Sequence, residues 1–78
     1  MPNLILYISE YCWFCKKVDA FMQENNISLE KRDTMENPNF RQELLEVGGK
    51  TQVPCLFIDG KPLYESDDII EYLKDNLL

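Results

Sequence analysis

Cys12 and Cys15 are separated by Trp13 and Phe14, and the only other cysteine is Cys55. If the segment is helical, that spacing sets the first two sulfurs about one turn apart on the same side. The apolar run Leu4-Ile5-Leu6-Tyr7-Ile8 ends just before the pair, so the thiols stand where a strand hands over to a helix. A helix N-terminus carries unpaired N–H groups and a partial positive charge, and both favour thiolate over thiol. Cys12 then reads as an attacking nucleophile, and Cys15 as a resolving thiol placed to break any disulfide that forms on Cys12. The competing chemistry is a metal site. Zinc takes four ligands, and with no histidine and only Cys55 in addition, one chain cannot assemble four soft ones. No metal is expected, and Cys55 reads as a core residue.

The elements that must hold this pair follow from the apolar pattern. Leu4 to Ile8 is a continuous apolar run, as in a strand covered on both faces. From Trp13 to about Asn25 the residues Phe14, Val18, Phe21 and Met22 recur at helical spacing, which assigns Phe14 to the core and leaves Trp13 flanking the thiol. Ile27 to Asp33 alternates apolar and charged residues, as a half-exposed edge strand does. Strand, helix and strand in that order predict a parallel βαβ unit. Asn37-Pro38 starts a second helix with Phe40, Leu44 and Val47 on its inner face, ended by Gly48-Gly49. A strand is predicted over Gln52 to Ile58, turned by Asp59-Gly60 into another over Lys61 to Tyr64. Ser66 is expected to cap a last helix, with Asp67 and Asp68 in its first turn and Ile69, Ile70, Leu73 and Leu77 packing it down. The predicted order is βαβαββα, an α/β fold with a four-stranded mixed sheet flanked by three helices, in a single domain spanning residues 1–78.

Apolar residues make up 45% of the chain, enough for a compact core, and the formal net charge is −6. An acidic surface argues against nucleic acid or an anionic membrane as partner, because both reward dense Lys and Arg. Lys16 and Lys17 are a local exception beside the thiols. The N-terminal apolar run is too short for a signal peptide and lacks a basic flank, and no stretch is long enough to span a bilayer. An odd cysteine count with one close pair does not suit a secreted disulfide framework. Cytoplasmic residence is expected, where a C-x-x-C pair is redox-active or metal-binding.

Three stretches in this order resemble the glutaredoxin family: Cys12-Trp13-Phe14-Cys15 after the first strand, Thr51-Gln52-Val53-Pro54 before the third, and Glu65-Ser66-Asp67-Asp68 at the head of the last helix. The match covers nearly the whole chain and implies a thioredoxin-like fold. The N-terminal domain of glutathione transferases is similar, and Gln52-Val53-Pro54 with Glu65-Ser66 follows its version closely. The resemblance implies a glutathione-dependent thiol–disulfide oxidoreductase in which Cys12 attacks and Cys15 resolves. It implies a cis peptide before Pro54 and a glutathione site made by Trp13, Phe14, Lys50, Gln52, Val53, Pro54, Glu65, Ser66 and Asp67. There Val53 holds the tripeptide through its backbone, Ser66 and Asp67 take the γ-glutamyl end, and Lys50 takes the glycine carboxylate. The chain departs from the family pattern at Trp13, where a Pro is usual, at Phe14, where Tyr is frequent, and at Ser9, where many members have Lys.

The expected partners are glutathione, as reductant and co-substrate, and disulfide-containing or glutathionylated proteins, with no nucleic acid and no membrane; a monomer is expected. Three alternatives stay open at this point. One is a reductant served by thioredoxin reductase. Another is a glutathione-ligated iron–sulfur cluster carrier, the less favoured cofactor, and the third is a glutathione-binding module without turnover.

Overall fold

The computed structural model describes residues 3–78. Its elements run β1 (Leu4–Ile8), α1 (Trp13–Glu24), β2 (Glu30–Asp33), α2 (Pro38–Gly48), β3 (Cys55–Ile58), β4 (Lys61–Tyr64) and α3 (Ser66–Leu77). The sheet order is β2-β1-β3-β4. β1 and β2 are parallel, while β1–β3 and β3–β4 are antiparallel, so the sheet is mixed, as the sequence predicts. Among the described residues no helix is long and apolar enough to cross a membrane.

Successive side chains of a strand point to opposite faces, and β1 and β3 fill both. Leu6 and Leu56 face α1 and α3 and join Val18, Met22, Ile69 and Leu73 in one buried cluster. Tyr7, Cys55 and Phe57 face the other way and join Leu44 of α2. Two helices therefore cover one face and one helix covers the other. On the α2 side, Arg32 Nη1 donates to Tyr7 Oη at 3.0 Å and to Glu43 Oε1 at 3.1 Å, which ties β2, β1 and α2 together.

Several boundaries differ from the sequence expectation, each for a local reason. β2 begins at Glu30, not Ile27. The preceding residues finish α1: Asn26 takes the left-handed conformation (φ 56°), and the N–H groups of Asn26 and Ile27 bond back to Gln23 O and Met22 O at 3.4 and 2.8 Å, closing the helix as a Schellman motif. β3 begins at Cys55, not Gln52, because Pro54 has no N–H to give a ladder. Phe14 is 57% exposed, and Val47 is 54% exposed, so neither belongs to the core. The inner face of α2 runs Phe40, Leu44, Gly48, and Gly48 lies so close to β4 that a Cβ there would sit 2.3 Å from Tyr64 Oη.

The turn and cap chemistry mostly holds. Asp59 and Gly60 have φ of 52° and 85°, the backbone of a two-residue hairpin loop. Gly49 caps α2 at φ 83°. The start of α3 is different: Ser66 is its first helical residue, and the capping position is Glu65, at φ 72° and ψ 122° with no side-chain cap bond.

Candidate functional site

Cys12 is the N-cap of α1 (φ −87°, ψ 117°), and its sulfur accepts the N–H of Cys15 at 3.3 Å. A serine at this position would use its oxygen in the same way. The helix is thus closed by the thiol itself, and the hydrogen bond is one that a thiolate strengthens. On its other side the Cys12 thiol donates to the carbonyl of Val53 at 3.6 Å. The sulfur therefore stands between the first turn of α1 and the segment that leads into β3.

The two sulfurs of the pair have different surroundings. Cys12 is half-buried and Cys15 is 3% exposed. Burial, followed by the hydrogen bond to Cys12, pushes the Cys15 thiol up to about 12. A partly open sulfur with a donor aimed at it thus adjoins an enclosed one held as a thiol. Cys55 lies in the α2-side cluster, where burial pushes its thiol up to about 11. Among the described residues no group of three or more Cys, Asp or Glu side chains is arranged to hold a metal ion.

Beside Cys12 opens a groove of about 250 Å³ lined by Phe14, Gln52, Val53, Pro54, Glu65 and Ser66. Three separate parts of the chain meet there: the first turn of α1, the approach to β3 and the head of α3. The Val53–Pro54 peptide is cis, in agreement with the sequence expectation. Gln52 Nε2 donates to Glu65 Oε1 at 3.1 Å, bridging two walls of the groove. Ser66 is buried at its rim, at 6% exposure, with the positive end of the α3 dipole behind it.

Three of the expected residues do not line this groove. Asp67, in the first turn of α3, forms an ion pair with Lys17 of α1. Lys50 lies outside, with its Nζ 4.5 Å from the centre of the Tyr64 ring. Trp13 is 77% exposed and lines a separate hollow on α1 with Lys16, Lys17 and Ala20. The Lys17–Asp67 clasp, which joins α1 to α3 beside the site, was not foreseen. Its members are 50 positions apart, and no local pattern announces such a pair. Another hollow, of about 400 Å³, lies at the start of β1 between Leu4 and Leu77 and is lined by none of the cysteines.

With this geometry in hand, comparison with known sequences points to the glutaredoxins, and comparison with solved structures to glutaredoxins, thioredoxin-like proteins and glutathione transferases. A glutaredoxin family model matches residues 4–63. Glutaredoxin 3 of Escherichia coli is 29% identical over 69 residues, which is 88% of this chain and 83% of that protein. Glutaredoxin 1 of Rickettsia typhi is 32% identical over 83 residues, spanning 100% of this chain and 77% of its own. Among solved structures, rice GST1 in complex with glutathione is similar at a TM-score of 0.74 and 27% identity, covering 94% of this chain and 33% of that one. The fold is thioredoxin-like.

Proposed function

The chain belongs to the glutaredoxin family of thiol–disulfide oxidoreductases, and from that premise we propose that it uses glutathione as reductant, with Cys12 as nucleophile and Cys15 as resolving thiol. The observation that carries the reading is the position of the Cys12 sulfur, 3.3 Å from the Cys15 N–H and 3.6 Å from the Val53 carbonyl, on the edge of a groove of about 250 Å³.

With a glutathionylated substrate, the Cys12 thiolate attacks the glutathionyl sulfur. A Cys12–glutathione disulfide forms, and the substrate thiol leaves as thiolate and is protonated by water. A second glutathione thiolate then attacks the glutathionyl sulfur, releasing glutathione disulfide and restoring the Cys12 thiolate. With a protein disulfide, Cys12 is first joined to the protein. Cys15 gives up its proton and attacks the Cys12 sulfur, freeing the protein's second thiol and leaving a Cys12–Cys15 disulfide that two glutathiones reduce. The enclosure of Cys15 suits this order, because a sulfur held as thiol does not compete with Cys12 for the first attack.

The tripeptide fits the groove as an extended chain beside Val53, its backbone groups paired with those of Val53 as an added strand would be. Phe14, Pro54 and Gln52 form the walls. The γ-glutamyl carboxylate meets the N-terminus of α3 at Ser66, where free N–H groups favour an anion. Its amine goes to Asp67, which already holds the Lys17 ammonium and so exchanges one cation for another. Lys50 swings from the Tyr64 ring toward the glycine carboxylate, and Glu65 keeps Gln52 in place.

Replacing Cys12 by Ser is expected to abolish glutathione-dependent reduction of a mixed disulfide. Cys15→Ser is expected to retain that activity and to lose reduction of protein disulfides. Full activity in Cys12→Ser would overturn the mechanism. Turnover with NADPH and thioredoxin reductase, but none with glutathione, would replace glutathione as the reductant.

A further inference from the structure

Trp13, Lys16, Lys17 and Ala20 recur at i, i+3, i+4 and i+7, the spacing that ordinarily marks the buried face of a helix. The residues of α1 that are buried are instead Cys15, Val18 and Met22, so this second stripe faces outward. It frames a hollow of about 310 Å³ next to the first turn. Ala20 forms its small floor and the Trp13 ring one wall.

Exposure of large aromatics is concentrated at this end of α1. Tyr11 and Trp13 are 78% and 77% exposed, and they flank Cys12 in the chain. A scattered exposed apolar residue needs no explanation, whereas aromatic side chains gathered around a reactive atom mark a contact surface. Trp and Tyr are the residue types that carry most binding energy at protein interfaces.

The charge is as unusual as the exposure. The chain carries a net charge of −6, yet Lys16 takes part in none of the ion pairs formed among the described residues. Its neighbour Lys17 is matched by Asp67. An unmatched ammonium beside an apolar hollow complements a partner's carboxylate placed next to an apolar side chain.

We propose that this stripe is a docking shelf for the polypeptide half of a disulfide substrate, and that it favours substrates with an acidic and an apolar residue close to the reacting cysteine. The inference rests on the glutathione reading above and adds the substrate class to it. Consecutive residues of a helix are about 100° apart around its axis, so Phe14 and Trp13 serve different flanks of Cys12. Phe14 lines the groove and Trp13 the shelf. With glutathione in the groove, the other half of a mixed disulfide lies across the first turn of α1, over the shelf. The reaction is the exchange already written, with the peptide thiol as leaving group.

Two synthetic glutathionylated peptides, identical except that Asp or Lys stands beside a Leu-Cys sequence, provide the test, with hydroxyethyl glutathione disulfide as a substrate too small to reach the shelf. The native protein is expected to favour the Asp peptide several-fold in kcat/KM. Ala20→Glu fills the hollow with a like charge, and Lys16→Glu reverses the free cation. Each is expected to lower kcat/KM for the Asp peptide about tenfold while leaving the small disulfide within about twofold. Equal rates on both peptides, or equal slowing of the small disulfide, would overturn the shelf. Trp13 is the only tryptophan, so its fluorescence reports docking without turnover. The Asp peptide carrying Ser for Cys should shift it, and Ala20→Glu should abolish the shift. A shift without any turnover of the small disulfide would retain the shelf and reject the glutathione mechanism; turnover without a shift would do the reverse.

Discussion

Cys12 caps a helix with its sulfur and stays partly open, while Cys15 and Cys55 are enclosed on opposite faces of the sheet. Enclosure sets the chemistry of the latter two: burial pushes them up to about 12 and about 11 from an ordinary 9.0. Between about pH 9 and 11 the unfolded chain has lost thiol protons that the folded protein keeps. The folded state then binds more protons, so stability falls as pH rises. Tyr7 and Tyr64, both also raised by burial, act in the same direction at higher pH. The reduced protein should therefore keep the full contribution of these groups below about pH 9 and lose about 2 kcal/mol per buried thiol by about pH 10.5. Urea midpoints measured under reductant across this range would show it. Cys55→Ala should fall less steeply, and because slopes are compared, the cavity left by the substitution does not enter. A variant slope equal to the native one would mean that Cys55 does not ionise on unfolding in this range.

At the level of elements, legibility followed from how local the cause is. The alternation of Leu6 and Tyr7 in β1, and of Cys55, Leu56 and Phe57 in β3, maps directly onto the two clusters. The Asp59-Gly60 turn and the Gly49 cap were readable for the same reason, since each depends on one or two adjacent residues. What could not be read depends on where distant segments meet. Phe14 has the spacing of a core residue, but the first turn of α1 lies over the groove, so its ring lines a wall. Ser66 has the type and position of a cap, but the path from β4 makes Glu65 the capping residue at φ 72° and ψ 122°. That backbone conformation is costly for any side chain with a Cβ, on the order of 1–3 kcal/mol, and glycine adopts it with little penalty. Glu65→Gly is accordingly expected to raise stability by about 1 kcal/mol, after the added chain entropy of glycine is set against the relieved strain. It also removes the Gln52–Glu65 bridge, so glutathione should bind more weakly. Thermal unfolding and a glutathione titration of the same variant test both halves, and a lower Tm would show that Glu65 is not strained in this conformation.

Across the whole molecule, the two faces of the sheet are secured unequally. α1 and α3 share one buried cluster, bonded further by the Lys17–Asp67 clasp, and between them they carry Cys12, Phe14, Ser66 and Asp67. α2 is alone on the other face. Leu44 is its one fully buried side chain among the described residues, supported by the Arg32–Glu43 pair and by Tyr64 Oη donating to Gly48 O at 3.0 Å. No residue of α2 lines the groove. Stability should therefore be separable from chemistry along this line. Leu44→Ala leaves a cavity in the smaller cluster and is expected to cost about 3 kcal/mol, a large share of the roughly 5–15 kcal/mol that holds a domain folded. Amide exchange should accelerate first in α2, because local opening begins where buried contacts are fewest. Below the lowered Tm, the rate constant for Cys12 attack on a glutathione mixed disulfide should stay within about twofold of native, since Cys12, Phe14 and Ser66 are held by α1 and α3 on the opposite face and Val53, which packs against the smaller cluster, acts through its backbone. A slower attack at a temperature where the variant is fully folded would mean that α2 positions the site through Tyr64 and Lys50, and that the two faces act as one unit.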